Sequence, residues 1–91
     1  MTAAPHLAIH REIVELLRQV TGEDETWAAA VTPATRVDTD LFIDSLELVE
    51  LSVKMRQVYG VDLAAYVAGL ELPELIELTV GDLAELAGAS T

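Results

Sequence analysis

The pair Asp44-Ser45 is the part of the sequence best suited to chemistry. Asp44 is a common N-cap residue and Glu47, three positions on, completes a capping box, so a helix is predicted to begin at Ser45. The hydroxyl of a first-turn serine points to solvent. Free backbone N–H groups and the positive end of the helix dipole also suit that position to a phosphodiester. From the Asp-Ser pair alone, ordinary helix capping is the favoured interpretation, so the flanking residues must decide.

Other site chemistries fit less well. Asp38 and Asp40 have the spacing of a calcium loop, but the later ligand positions of such a loop hold the wrong residues. His6 and His10 have no third metal ligand in evidence. There is no cysteine and no glycine-rich phosphate loop. A small hydrolase using Ser45 is disfavoured because no histidine lies near it in sequence to activate the hydroxyl.

Composition indicates one small acidic domain. The chain has 91 residues, 52% of them apolar, and a net charge of −11 from 16 acidic and 5 basic residues. Such a surface repels nucleic acid and anionic membranes and steers the chain toward basic partners, although acidity alone also gives solubility. No apolar run is as long as the about 20 residues that a helix needs to span a bilayer. No signal peptide is recognisable at the start of the sequence. We expect a cytoplasmic monomer with one domain over residues 1–91 and flexible ends at 1–5 and 89–91.

The first half of the chain reads as one helix and a long loop. Apolar residues at spacings of three and four predict a helix from about Leu7 to Val20, with Gly22 as its stop. The connection from Thr21 to Phe42 is long enough to mark a functional loop. A short helical turn is expected over Thr26–Val31. The apolar residues expected to pin this loop to a core are Trp27, Val31, Val37 and Leu41.

The second half contains one clear helix followed by shorter ones. Apolar spacing predicts a helix over Ser45–Tyr59 that ends at Gly60. A helical turn is expected over Ala65–Ala68, ended by a glycine. A short helix is expected over Pro73–Glu77.

The last helix has the clearest start signal. Thr79 and Asp82 form a capping-box pair before an apolar face, and Gly88 is expected to end the helix. The pattern predicts an all-α fold, a four-helix bundle of three main helices plus a short third one. A long loop joins helices 1 and 2.

The segment around Ser45 resembles the acyl carrier protein family, whose hallmark is an Asp-Ser-Leu triplet opening the second helix. Asp44-Ser45-Leu46 matches that triplet, and the residues after it continue the match. Tyr59–Leu63 is similar to the family's exit from that helix, and Leu78–Leu83 to the start of its last helix. The resemblance covers most of the chain and implies a free-standing acyl or peptidyl carrier.

The resemblance implies a covalent cofactor and no enzymatic activity. In this family a phosphopantetheinyl transferase uses coenzyme A and magnesium to attach a 4'-phosphopantetheine arm to the serine, here Ser45. The arm's thiol holds an acyl, aminoacyl or polyketide group as a thioester. Asp44 and Leu46 are the motif residues, and Asp44 helps to engage the transferase and its metal. The expected partners are this transferase, a loading ligase or acyltransferase, and downstream synthase or tailoring enzymes.

Partner enzymes of the family bind to one part of the second helix. By resemblance, Glu47 and Glu50 would meet basic side chains, and Leu46 and Val53 would fill shallow apolar sites. The alternatives are capping for Glu47, a solvated face for Glu50, and core packing for Leu46 and Val53.

Some positions depart from the family pattern. Phe42 stands where the family usually has glycine, and because phenylalanine disfavours positive φ, the loop is expected to turn differently and Phe42 to pack near the base of the arm. Lys54 and Arg56 indicate a dedicated partner set in a specialised pathway. The extra residues Ala65–Leu72 are expected to shape a pocket or partner surface, or to be a neutral insertion.

Two alternatives stay open. One is an unmodified helical interaction module with the carrier fold, which the Phe42 departure favours. The other concerns the core, where Leu51, Met55, Leu63 and Leu78 either open into a cavity for a hydrophobic chain or form a closed core.

Overall fold

The computed structural model describes the backbone of residues 3–89 and the side chains of residues 8–89. The helices in this part of the chain are α1 (Ala3–Thr21), α2 (Glu25–Ala29), α3 (Ser45–Tyr59), α4 (Leu63–Ala68), α5 (Leu72–Ile76) and α6 (Val80–Ala89). The predicted all-α bundle is confirmed. It has three long helices, α1, α3 and α6, and its short helices are α2, α4 and α5.

Helix α1 begins earlier than the apolar spacing predicts, at Ala3. It ends as predicted, with Gly22 at φ 75° and the Gly22 N–H donating to the Arg18 carbonyl at 2.9 Å. The predicted flexible ends lie partly outside the described residues. Their described parts, residues 3–5 and 89, belong to α1 and α6. The extent of the domain stays a prediction.

The three long helices bury one continuous core. α1 packs against both α6 and α3, and these contacts cover the apolar faces that the helical spacing predicts. The fully buried larger side chains are Ile13, Leu17, Leu51, Met55, Leu63, Val80 and Leu83. Leu51, Met55, Leu63 and Leu78, the four positions for which a cavity was the alternative, are between 0% and 3% exposed, so their side chains are buried. Burial alone does not decide between a closed core and a cavity, and that choice stays open.

The long connection between α1 and α3 is pinned to this core. Its predicted helical turn is present as α2, which Asp24 caps by accepting the Trp27 N–H at 2.9 Å. Trp27 packs against the core, as expected of an anchor, and so does the half-buried Leu41. Val31 and Val37 are buried, so all four predicted anchors hold the loop.

The same loop is joined to the start of α6 through backbone atoms. Three hydrogen bonds of 2.9 Å make this junction: Val37 N–H to Leu78 O, Val80 N–H to Thr35 O, and Gly81 N–H to Pro33 O. A Cβ at Gly81 would lie 2.9 Å from the Pro33 carbonyl oxygen, so this close approach requires glycine. The junction fixes the loop that leads to Ser45 relative to the core.

Helix α6 starts as predicted and ends later. Thr79 N–H donates to Asp82 Oδ2 at 2.9 Å and Asp82 N–H donates to Thr79 Oγ1 at 3.1 Å, so the capping box is confirmed. The prediction that Gly88 ends the helix is wrong. Gly88 lies inside α6, where a Cβ would stand 3.4 Å from Cδ1 of Ile9, so the small residue serves the contact with α1.

The region between α3 and α6 folds into two short helices. Gly60, at φ 71°, ends α3 as predicted, and α4 begins after Asp62, which caps it by accepting the Ala65 N–H. α4 therefore starts two residues before the predicted helical turn, and α5 starts one residue before its predicted first residue. None of the helices within residues 3–89 is both long and apolar enough to cross a membrane.

Candidate functional site

Ser45 is the first residue of α3, and the capping box predicted around it is present. Glu47 N–H donates to Asp44 Oδ1 at 2.8 Å, and Asp44 N–H donates to Glu47 Oε1 at 3.1 Å. The two carboxylates hold the helix end rigid because each satisfies a backbone donor that the helix leaves free. The position of Ser45 is therefore set by its immediate neighbours.

The Ser45 side chain is exposed, and its surroundings suit an anionic substituent. The N–H groups of Ser45 and Leu46 have no acceptor among the described residues. They point out of the positive end of the α3 dipole, an arrangement that favours a phosphate. The Ser45 hydroxyl has no hydrogen-bonded base among the described side chains, so nothing in contact with it would activate it for hydrolysis.

The turn before α3 differs from its prediction. The loop was expected to avoid a positive φ at position 42. Phe42 nevertheless takes the left-handed conformation, with φ 56°. The cause is a pair of backbone hydrogen bonds, Phe42 N–H to Asp38 O at 3.1 Å and Ile43 N–H to Val37 O at 3.2 Å, which close the loop around residue 42. Phe42 is 77% exposed and does not pack against the core, and its packing near the base of the arm stays a prediction.

Two apolar grooves meet at Ser45. The first groove, of about 290 Å³, lies between the start of α3 and α5, and its apolar walls come from Val37, Ile43, Leu48, Leu72, Leu75, Ile76 and Leu78. The second groove, also about 290 Å³, lies between α3 and α4, with apolar walls from Leu48, Val49, Leu63, Ala64, Val67 and Ala68. Ser45 lines both, so a group attached to its hydroxyl can lie in either. The residues between α3 and α6 supply the outer wall of each groove.

Polar contacts join the two helices that form the second groove. Ser52 Oγ accepts the Ala64 N–H at 3.2 Å, which joins α3 to the start of α4. Arg56 Nη2 donates to Asp62 Oδ2 at 2.9 Å, while the other oxygen of Asp62 caps α4. Arg56 is therefore engaged within the chain, whereas Lys54 has no charged partner among the described residues.

The outer face of α3 carries an exposed strip of apolar side chains, Leu46, Val49 and Val53. Their exposed fractions are 70%, 59% and 52%, so core packing is excluded for Leu46 and Val53. Glu50 is exposed beside the strip, and Glu47 has the capping role. The docking roles of Leu46, Glu47, Glu50 and Val53 stay predictions.

The histidines form no site within the described residues. His10 Nδ1 is buried without a hydrogen-bond partner. No group of three His, Cys, Asp or Glu side chains suited to a metal ion occurs in the part of the chain searched. The side chain of His6 lies outside the described residues.

Several residues that line the site were not identified from the sequence. They are Ile43, Leu48, Val49, Leu75 and Ile76. Val67, Ala68 and Leu72 also line the grooves, and they belong to the stretch Ala65–Leu72 that was expected to shape a pocket or a partner surface. A signal for those on α3 was present, because its apolar residues occupy more than one face of the helix. A helix that is apolar on several faces is expected to contact other elements or ligands in addition to the core.

Comparison with known families places this chain in one of them. The model for a family described as "Phosphopantetheine attachment site" matches residues 11–87, which include Ser45 and most of the fold. Searches among curated proteins and among solved structures gave no match.

Proposed function

The chain belongs to the phosphopantetheine-attachment family, and on that premise we propose that it is an acyl carrier protein modified at Ser45. Proteins of this family bind 4'-phosphopantetheine covalently. When bound, the group supplies a thiol that holds cargo as a thioester. The observation that carries the assignment to Ser45 is its exposed place in the first turn of a capped helix, at the meeting point of two apolar grooves.

The attachment itself is a phosphoryl transfer carried out by a phosphopantetheinyl transferase. A bond forms between Ser45 Oγ and phosphorus as coenzyme A loses adenosine 3',5'-bisphosphate, and the hydroxyl proton passes to a base of the transferase. Asp44 has one carboxylate oxygen in the cap and the other without a partner among the described residues, which leaves it able to bind the transferase's magnesium.

The residues around Ser45 fit the group. Two unpaired N–H groups of α3 lie where the phosphodiester begins, and the grooves offer apolar walls for the chain that follows. Each groove is partly open to solvent, with exposed as well as buried residues in its lining, so a chain lying there can leave again without unfolding the protein. This arrangement supports transport, in which the protein holds cargo and other enzymes perform the bond chemistry.

The cargo is an acyl, aminoacyl or polyketide group, and the pathway is a specialised one. The departures at Phe42 and Lys54 support a dedicated set of partners. These partners are a loading ligase or acyltransferase and downstream synthase or tailoring enzymes, which would approach the exposed strip with Glu50 beside it. The cytoplasmic, monomeric state expected from the sequence is part of this proposal.

The alternative is an interaction module that keeps the fold and is never modified. Incubation with a broad-specificity phosphopantetheinyl transferase, magnesium and coenzyme A, followed by intact and peptide mass measurement, separates the two. We expect a mass gain of one phosphopantetheine on the peptide that contains Ser45, no gain in Ser45→Ala, and an unchanged gain in Ser52→Ala, the other serine of α3. A wild-type chain that gains no mass would favour the interaction module, and ester hydrolysis by the unmodified chain would favour a hydrolase.

A further inference from the structure

Phe42 combines two features that do not help the chain to fold. Its backbone has φ 56°, a conformation that glycine adopts freely and that a residue with a Cβ disfavours. The residue is 77% exposed, so most of its apolar surface stays in contact with water. Residues held in unfavourable backbone conformations cluster where a protein binds or reacts. The reason for a phenylalanine at this position is therefore to be sought in an interaction with another molecule.

The loop itself does not require the phenylalanine side chain. The hydrogen bonds that close the turn, Phe42 N–H to Asp38 O and Ile43 N–H to Val37 O, use backbone atoms alone. Glycine at position 42 would make the same hydrogen bonds with less strain. The ring does not line either groove beside Ser45. It is thus available to a partner in the free protein.

The closeness of Phe42 to Ser45 indicates which partner enzyme would contact it. Ser45 is three positions after Phe42, so the two Cα atoms are at most about 11 Å apart. An interface of about 800 Å² per partner is a patch of about 16 Å radius, which covers Phe42 whenever it is centred on Ser45. The transferase must bring its active site onto the Ser45 hydroxyl and so must cover this patch. Enzymes that act on the cargo at the far end of the phosphopantetheine arm do not have to cover this patch.

Charge indicates what the covering surface is like. Asp38, Asp40 and Asp44 are all exposed on either side of Phe42 along the chain. An apolar ring between carboxylates is complementary to an apolar recess with a basic rim. We infer that Phe42 is a binding residue for the phosphopantetheinyl transferase, with its ring entering such a recess when the enzyme reaches Ser45. The inference rests on the proposed function.

Steady-state kinetics of the attachment reaction test it, with a broad-specificity transferase as the probe and the unmodified chain as the varied substrate. We expect Phe42→Gly to raise KM for the chain about tenfold and to leave kcat within about twofold, because the ring contributes to binding and takes no part in the chemistry. Phe42→Tyr keeps a ring and is expected to stay within about threefold of the wild-type KM. Val58→Ala removes part of an apolar side chain of 55% exposure near the other end of α3 and is the matched control, with KM unchanged.

The outcomes separate this inference from the proposed function. A wild-type chain that is never modified contradicts the proposed function. A wild-type chain that is modified, with Phe42→Gly equal to it in KM, overturns only the inference. Unfolding cannot account for a raised KM, because glycine relieves strain at this position, and thermal melting of Phe42→Gly checks that its Tm is not below that of the wild type.

Discussion

The hydroxyl of Tyr59, near the end of α3, donates a hydrogen bond of 2.5 Å to Oε1 of Glu12 on α1. This contact joins the end of the helix that begins at Ser45 to the helix that packs across the whole core. Burial and the neighbouring Glu12 carboxylate raise the pKa of Tyr59 above its ordinary value of 10.0, because both disfavour the phenolate.

Tyr59→Phe is expected to lower the free energy of unfolding by about 1 kcal/mol, the usual contribution of one such hydrogen bond. A group whose pKa is raised by folding contributes stability below its unfolded pKa and loses it as pH rises. The contribution of Tyr59 is therefore present below pH 10 and declines above it. Urea unfolding at about pH 8 and about pH 11 measures this. A variant that loses stability with pH as steeply as the wild type would contradict the assignment.

Asp44 combines a capping role with a proposed role in modification, and two substitutions separate them. Asp44→Asn keeps a good N-cap, so its stability is expected within about 0.5 kcal/mol of the wild type, while Asp44→Ala is expected to cost about 1 kcal/mol. Both are expected to slow attachment at Ser45 at least tenfold, because both remove the carboxylate. Unfolding curves and attachment rates are measured side by side. If Asp44→Asn were modified as fast as the wild type, Asp44 would have only its capping role and no role in attachment.

Gly81→Ala is expected to destabilise the chain by about 1–3 kcal/mol. Its new methyl group would stand 2.9 Å from the Pro33 carbonyl oxygen, and backbone on both sides of the contact would have to move. Gly88→Ala is the matched control, since its methyl group would meet only the flexible end of Ile9 and alanine favours a helix interior. Equal thermal stabilities of the two variants would show that the junction between the loop and α6 is looser than described.

The two faces of α3 are expected to respond differently to substitution. Val53→Ser on the exposed strip is expected to change the free energy of unfolding by no more than about 0.5 kcal/mol. Leu51→Ala, at a fully buried position, is expected to cost about 2–5 kcal/mol. Urea denaturation of both variants provides the comparison. A large loss in Val53→Ser would mean that this side chain is covered in solution and would argue against a free docking face.

The features that were predicted correctly have local causes. α3 was placed from Ser45 to Tyr59 because both of its end signals, the capping box at Asp44 and the left-handed Gly60, act within a few residues of the helix end. The start of α6 was predicted for the same reason, from Thr79 and Asp82. The exposure of Ser45 followed from its position in a first turn.

The features that were missed depend on residues far apart in sequence. In the sequence, Gly88 has the features of a residue that ends a helix. In the structure, its small size allows α6 to pack closely against Ile9 of α1. The spacing of residues cannot distinguish a glycine that ends a helix from one that allows close packing. The conformation of Phe42 is set by a loop whose residue Val37 is in turn held by Leu78. Pairing of the loop with α6 leaves no periodic pattern in the sequence, so the positive φ at Phe42 could not be predicted. Of the two grooves, only the contribution of Ala65–Leu72 was expected.

The junction between the loop and α6 also bears on the order of events during synthesis. The cap on α3 uses Asp44 and Glu47, so it can form as soon as that helix has left the ribosome. The hydrogen bonds that close the turn at Phe42 are local as well, to Asp38 O and Val37 O. The bonds that join the loop to α6 have to wait, because Leu78, Val80 and Gly81 are made later. Anchoring of the loop to the core is therefore a late step, completed only when the start of α6 is present.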